Sequence, residues 1–236
     1  MSDRESYGLR FDHIAVPVGN TRQDLIRFLE IFKLLGFERE WYRKFIGNEE
    51  TGMSTAVMTR GEVKFAFMAG IDGQSTKGKH IISQVNLYFH KFGICPQHIA
   101  IRCETLEYFE NLIANWYKNG VRFITETKDH QPLILRDKGR EGVVLQCFTY
   151  PIEKSWFFEI KYVGRDPGAH STKFKEFRDD NVRGLWASVD RMAKSGILFS
   201  TNLFGEITKR AKRKGASQKR KTISRLVNKK TKRSGL

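Results

Sequence analysis

One echo limits what this chain can fold into. Phe11-Asp12-His13-Ile14-Ala15-Val16 is matched 85 positions later by Pro96-Gln97-His98-Ile99-Ala100-Ile101, and an amphipathic helical pattern follows each copy. Two copies of one unit are therefore expected. In both copies a histidine stands in an otherwise apolar strand. A buried imidazole must find partners for its ring nitrogens or cost free energy. A metal ion shared by the two copies would meet that need for both.

The residues around the first copy describe a βαβββ unit. In residues 11–18, Ile14, Val16 and Val18 alternate onto one face while His13 and Ala15 share the other, so the histidine has a small neighbour. Thr21-Arg22-Gln23-Asp24 has the form of a capping box, and Leu25, Phe28, Leu29, Phe32 and Leu35 make the apolar stripe of a helix that Gly36 stops. Strands are expected at 37–45, 53–59 and 62–68, the last two joined by a tight Arg60-Gly61 turn. A polar, glycine-rich loop at 70–82 and the stretch 83–92 lead into the second copy.

There, Thr105 caps a helix with the stripe Leu106, Phe109, Ile113, Trp116 and Tyr117, ended by Asn119-Gly120. Strands are expected at 121–125, 132–136, 143–150 and 156–163, the last two forming a hairpin about 151–155. In the closing strand Glu159 shares a face with Phe157, while Phe158 and Ile160 point the other way. Phe174, Phe177, Trp186 and Met192 mark one or two further helices interrupted at Gly184.

Length and composition set the frame. The chain has 236 residues, 40% hydrophobic and 12% aromatic, enough for one substantial domain or two small ones. No apolar run approaches the roughly 18 residues of a membrane span, and residues 1–7 carry no signal-peptide core. A cytoplasmic protein without a transmembrane segment is expected. Cys95, Cys103 and Cys147 have no C-x-x-C spacing and read as buried thiols, neither a disulfide framework nor a thiolate zinc site.

The net charge is +16, but residues 206–236 hold 13 Lys and Arg against one acid, so the tail accounts for +12 and the body for +4. The domain is expected over 1–192, with modules at about 11–70 and 96–165. Residues 193–236 are expected to form a basic, disordered tail, or one helical only on a partner. The two clusters of KRAKRKGASQKRK suit nuclear targeting, or attraction to nucleic acid or another polyanion. Sequence-specific base readout is not expected, because no groove-reading motif is present.

His13, His98 and Glu159 together make a 2-His-1-carboxylate set. Such a triad occupies one face of an octahedral ion and leaves positions open, which suits non-haem Fe(II) working with O2 and a chelating substrate. His80, His90, His130 and His170 lie in or beside polar loops and read as surface groups.

From about residue 11 to residue 191 the chain resembles the C-terminal, catalytic half of the 4-hydroxyphenylpyruvate dioxygenase family, within the vicinal oxygen chelate superfamily. The motifs carrying the resemblance occur in order: DHIAVPVGN, LLGF, GEVKFAF, SQVNLYF, PQHIAI, NGVRFI, GVVLQCFTYPI, WFFEI and FKEFRDDNVRGLW. LQxFTxP followed by FFEI is specific to this enzyme and its hydroxymandelate synthase relatives.

The resemblance implies an α+β fold in which paired βαβββ modules form a barrel-like sheet around Fe(II), with His13, His98 and Glu159 as ligands. It implies substrate contacts from Gln84, Gln97 and Gln146, and from Thr55. Phe148 and Phe157 would wall the aromatic ring, and Phe174 would lie on a helix closing the pocket. The implied reaction is aromatic amino-acid catabolism: an arylpyruvate-like 2-oxo acid chelates the iron, is decarboxylated with O2, and is hydroxylated on its ring or benzylic carbon.

The chain departs from the family in four places. The family's N-terminal half has no counterpart before His13, Met68 replaces the asparagine of a PINEP-like segment, and DPGAHSTK at 166–173 replaces a glycine-rich run. The hairpin between Gln146 and Glu159 is two residues shorter. These departures leave open which 2-oxo acid is bound. The alternative is a non-catalytic or divergent domain of this fold, tethered to nucleic acid by its tail. Homo-oligomerisation is also left open.

Overall fold

The computed structural model describes residues 8–124, 131–139, 142–152, 155–165 and 179–194. In the first module β1 (Leu9–Gly19) leads to α1 (Arg22–Leu34), then β2 (Glu38–Gly47), β3 (Gly52–Arg60) and β4 (Val63–Ile71). The capping box is formed: Thr21 Oγ1 accepts from the Asp24 N–H at 3.1 Å, and the Thr21 N–H donates to Asp24 Oδ2 at 3.0 Å. Gly61 turns β3 into β4 with φ +59°, a conformation that favours glycine.

A two-stranded hairpin of β5 (Gly73–Gln74) and β6 (His80–Ile81) and a helix α2 (Gln84–Phe92) join the modules. The second module has β7 (His98–Cys103), α3 (Leu106–Lys118), β8 (Leu135–Gly139), β9 (Gly142–Phe148) and β10 (Phe157–Arg165), followed by α4 (Asp179–Lys194).

Eight strands form one curled mixed sheet in the order β2-β3-β4-β1-β7-β10-β9-β8. The order reads the same from both ends when β1 is equated with β7, β4 with β10, β3 with β9 and β2 with β8. The modules meet where β1 and β7 run antiparallel, and β4 and β10 flank that seam in parallel. One face is covered by α1, through Leu25 and Leu29 against Val16, Met58 and Phe67, and by α3, through Phe109 and Ile113 against Cys147 and Ile160. The other face is covered by α2 and α4, through Val85, Tyr88, Val182, Trp186 and Val189. Among the described residues, no helix is long and apolar enough to cross a membrane.

Four expectations need correction. Residues 83–92, treated as a lead-in, contain α2, capped by Ser83, whose Oγ accepts from the Asn86 N–H at 3.2 Å. Of the strand expected at 121–125, the described residues 121–124 form one bridge, between Phe123 and Thr149. The strand expected at 132–136 begins only at Leu135, beyond Pro132, which has no N–H for the ladder. Gly184 does not interrupt α4, because packing of Val182, Trp186 and Val189 outweighs the cost of one mid-helix glycine, about 1 kcal/mol. The expected tail beyond Lys194 lies outside the described residues, as do Phe174, His130 and His170.

Candidate metal centre

At the seam between the modules the register places Ala15 opposite His98 and His13 opposite Ala100. Each histidine therefore faces the other copy's alanine, and exchanging the modules maps this quartet onto itself. In β10, Glu159 pairs with Ala100, so only a methyl group stands between the rows that carry His13 and Glu159. The two imidazole rings lie 5.5 Å apart, nearly perpendicular at 79°.

One ligand atom from each of His13, His98 and Glu159 falls within 4.8 Å of the others. Glu159 Oε2 is 3.4 Å from His98 Nε2 and 3.8 Å from His13 Nε2. All three side chains are buried.

A β-bulge prepares one of these ligands. Phe11 pairs with Ile101 and His13 with Ala100, so Asp12 is an extra residue on β1, and both Asp12 and His13 are buried. Asp12 Oδ1 lies 2.5 Å from His13 Nδ1. With its proton on Nδ1 the ring donates to the Asp12 carboxylate, and the Nε2 lone pair is left facing Glu159. On the other side, Gln146 Nε2 donates to Glu159 Oε1 at 2.8 Å and leaves Oε2 toward the histidines.

The protonation states suit a cation. Burial drives the His98 pKa down and keeps its ring neutral despite the nearby Glu159. Burial pushes the Glu159 pKa up, but His98, His13 and Lys161 outweigh it and hold the carboxyl below its ordinary value. Burial likewise opposes ionisation of Asp12, and Lys161 and His13 overcome it. Metal ligands must be neutral imidazoles and ionised carboxylates.

Among the described residues, His98 Nε2 and Glu159 Oε2 are both buried with no hydrogen-bond partner. A cation held between them would satisfy both, so the donor set fits a metal ion.

The triad opens onto a cavity of about 440 Å³, including the part that reaches solvent. Gln146, Lys161 and Thr55 add polar groups to its wall, and Trp41, Met53, Val57, Ala66 and Met68 form an apolar side. Val182 and Leu185 close it from α4. Arg183 Nη1 ties that helix to the Gly47 carbonyl at 3.0 Å.

Of the residues expected to contact substrate, Gln146 and Thr55 line this cavity. Gln84 and Gln97 do not: they are buried together, with Gln97 Nε2 donating to Gln84 Oε1 at 3.4 Å. Phe157 lies behind His98, its ring stacked at 5.2 Å, and Phe148 meets Phe157 edge to face at 6.3 Å.

Sequence reasoning missed Asp12, Lys161, Trp41 and the α4 residues. Lys161 carried a signal, since strand alternation places it on the face of Glu159. Asp12 carried the opposite signal, since simple alternation points it away from His13.

No protein-family model matches the chain, and no curated protein does. Among solved structures, a mutant of 4-hydroxymandelate synthase from Streptomyces coelicolor aligns with a TM-score of 0.61 and 17% identity, over 78% of this chain and 55% of that one. The chain has the vicinal oxygen chelate fold.

Two further alignments are looser. A xylose isomerase-like TIM barrel/4-hydroxyphenylpyruvate dioxygenase fusion protein gives a TM-score of 0.48 at 17% identity, over 77% of this chain and 29% of that one. Methylmalonyl-CoA epimerase from Mycobacterium tuberculosis gives 0.43 at 18% identity, over 64% and 86%. The chain spans only about half the length of the synthase it matches, 55%.

Proposed function

We propose that the chain is a non-haem Fe(II)-dependent dioxygenase of the 4-hydroxyphenylpyruvate dioxygenase type, acting on an arylpyruvate-like 2-oxo acid. The observation that carries this reading is the convergence of His13, His98 and Glu159, within 4.8 Å, on the wall of a largely apolar cavity. Iron(II) in a facial triad supplies open positions where a 2-oxo acid can chelate and O2 can react.

In this reading the chain's own residues bind, orient and exclude water. Asp12 fixes the tautomer and plane of His13, and Gln146 fixes the rotation of Glu159. Trp41, Val57 and Met68 offer apolar surface to an aromatic side chain. Val182 and Leu185 keep bulk water off that side, and Thr55 and Gln146 offer polar wall groups to the substrate. Phe157, stacked on His98, restrains the second imidazole.

The test is O2 uptake by anaerobically iron-loaded protein supplied with 4-hydroxyphenylpyruvate and a panel of other 2-oxo acids. Uptake that requires one of these acids and releases CO2 is expected. Bound iron with no turnover on any of them would sink the proposal.

The charge distribution favours a second reading. With +12 of the net +16 in residues 206–236, the domain could serve as a non-catalytic binding module that its tail holds to nucleic acid. Iron-dependent turnover separates the two.

A further inference from the structure

A buried lysine on the cavity wall takes no part in that reading. Lys161 is 1% exposed and lies two residues beyond Glu159 on the same face of β10. Its Nζ is 3.4 and 3.5 Å from the two carboxylate oxygens of Asp12. Lys161 pairs with Gln146 on β9 as Met68 pairs with Thr55 on β3, so Met68 is its counterpart in the first module. The fold itself thus accepts an apolar side chain of similar length at this place. A buried ammonium is costly to desolvate, and a charge here calls for a reason in the cavity's electrostatics.

That reason lies in the charges enclosed around the candidate ion. Asp12 and Glu159 contribute one negative charge each, Lys161 one positive, and the two histidines none when they act as ligands. A divalent ion brings the total to one net positive charge. Without Lys161, Asp12 would reduce it to zero.

We propose that Lys161 offsets the Asp12 carboxylate, so that the loaded cavity keeps one net positive charge and selects a monoanionic chelator, such as a 2-oxo carboxylate, over a neutral ligand. Asp12 can then fix His13 without cancelling the attraction for the substrate's anion. The inference rests on His13, His98 and Glu159 being the metal ligands.

The test uses the full chain loaded with Co(II), whose visible absorption reports added ligands. Pyruvate is the monoanionic probe and imidazole the neutral one. Lys161→Met should bind cobalt as tightly as the native protein or more so, bind pyruvate about tenfold more weakly or worse, and bind imidazole within about threefold of native. Asp12→Asn combined with Lys161→Met keeps an acceptor for His13 and restores the net charge. This double variant should regain pyruvate affinity to within about threefold of native.

Unchanged pyruvate binding in Lys161→Met overturns the inference. So does parallel loss of pyruvate and imidazole, which marks a merely structural role. If Lys161→Met yields no folded protein, the double variant decides, and pyruvate binding about tenfold weaker than native there overturns the inference. A native protein that binds no cobalt overturns the metal reading, and this one with it. Cobalt binding without a charge effect overturns this one alone.

Discussion

Glu159 and Ala66 hold equivalent places in the two modules: Glu159 is in register with Ala100 on β7, and Ala66 with Ala15 on β1. The duplication therefore presents two histidines but only one carboxylate, and the side of the cavity opposite Glu159 is lined by a methyl group. A chelating ligand has its space there.

Ala66→Glu should fill that space with a second carboxylate. The variant is expected to keep its metal and lose the binding of a chelating acid. Cobalt absorption that no longer responds to pyruvate would bear this out. A native-like response would place the open coordination positions elsewhere.

Ligand removal and ligand support should separate by magnitude. Glu159→Ala or His98→Ala is expected to abolish metal binding while circular dichroism still reports a folded protein. Gln146→Met removes only the hydrogen bond to Glu159 Oε1 and should weaken metal affinity by about 10–100-fold. Metal stoichiometry after dialysis against a weak chelator measures both. Full metal retention by the Glu159 variant refutes its role as a ligand.

The three thiols should differ in reactivity. Burial pushes the Cys103 pKa up to about 11 and that of Cys147 higher still. Both stay protonated at pH 8, and the thiolate is the reactive form. Cys95 is only partly buried. A disulfide reagent at pH 8 is expected to label one thiol quickly in the native protein and three after unfolding. Rapid labelling of all three in the native state would contradict the packing around α3.

Removal of residues 206–236 takes away +12 of charge. If those residues attract a polyanion, retention of the full chain on immobilised DNA should fall steeply with salt and vanish on truncation, while metal content stays the same. Equal retention by the truncated chain defeats the second reading of function.

How far the residues alone reach is clearest at the seam. The two histidine strands, the capped helices α1 and α3, and the common face of Phe157 and Glu159 are all legible in the chain. They follow from period-two alternation, from apolar stripes near period 3.6, and from capping residues. These are local rules, and they operate wherever the chain goes.

Other features depend on partners remote in the chain. Asp12 turns inward because β7 offers no residue opposite it, and it meets Lys161 across 149 positions. The helix through Gly184 exists because Val182, Trp186 and Val189 find an apolar sheet to cover. Gln84 and Gln97, which the motifs suggested for the cavity, instead hydrogen-bond to each other beside it. The sequence by itself determined the duplication, most of the element types and the candidate metal ligands, because each depends on neighbours a few positions away. Only the tertiary structure decided which buried charges surround the site and what closes it, because burial and ion pairing depend on groups that the chain brings together from both modules.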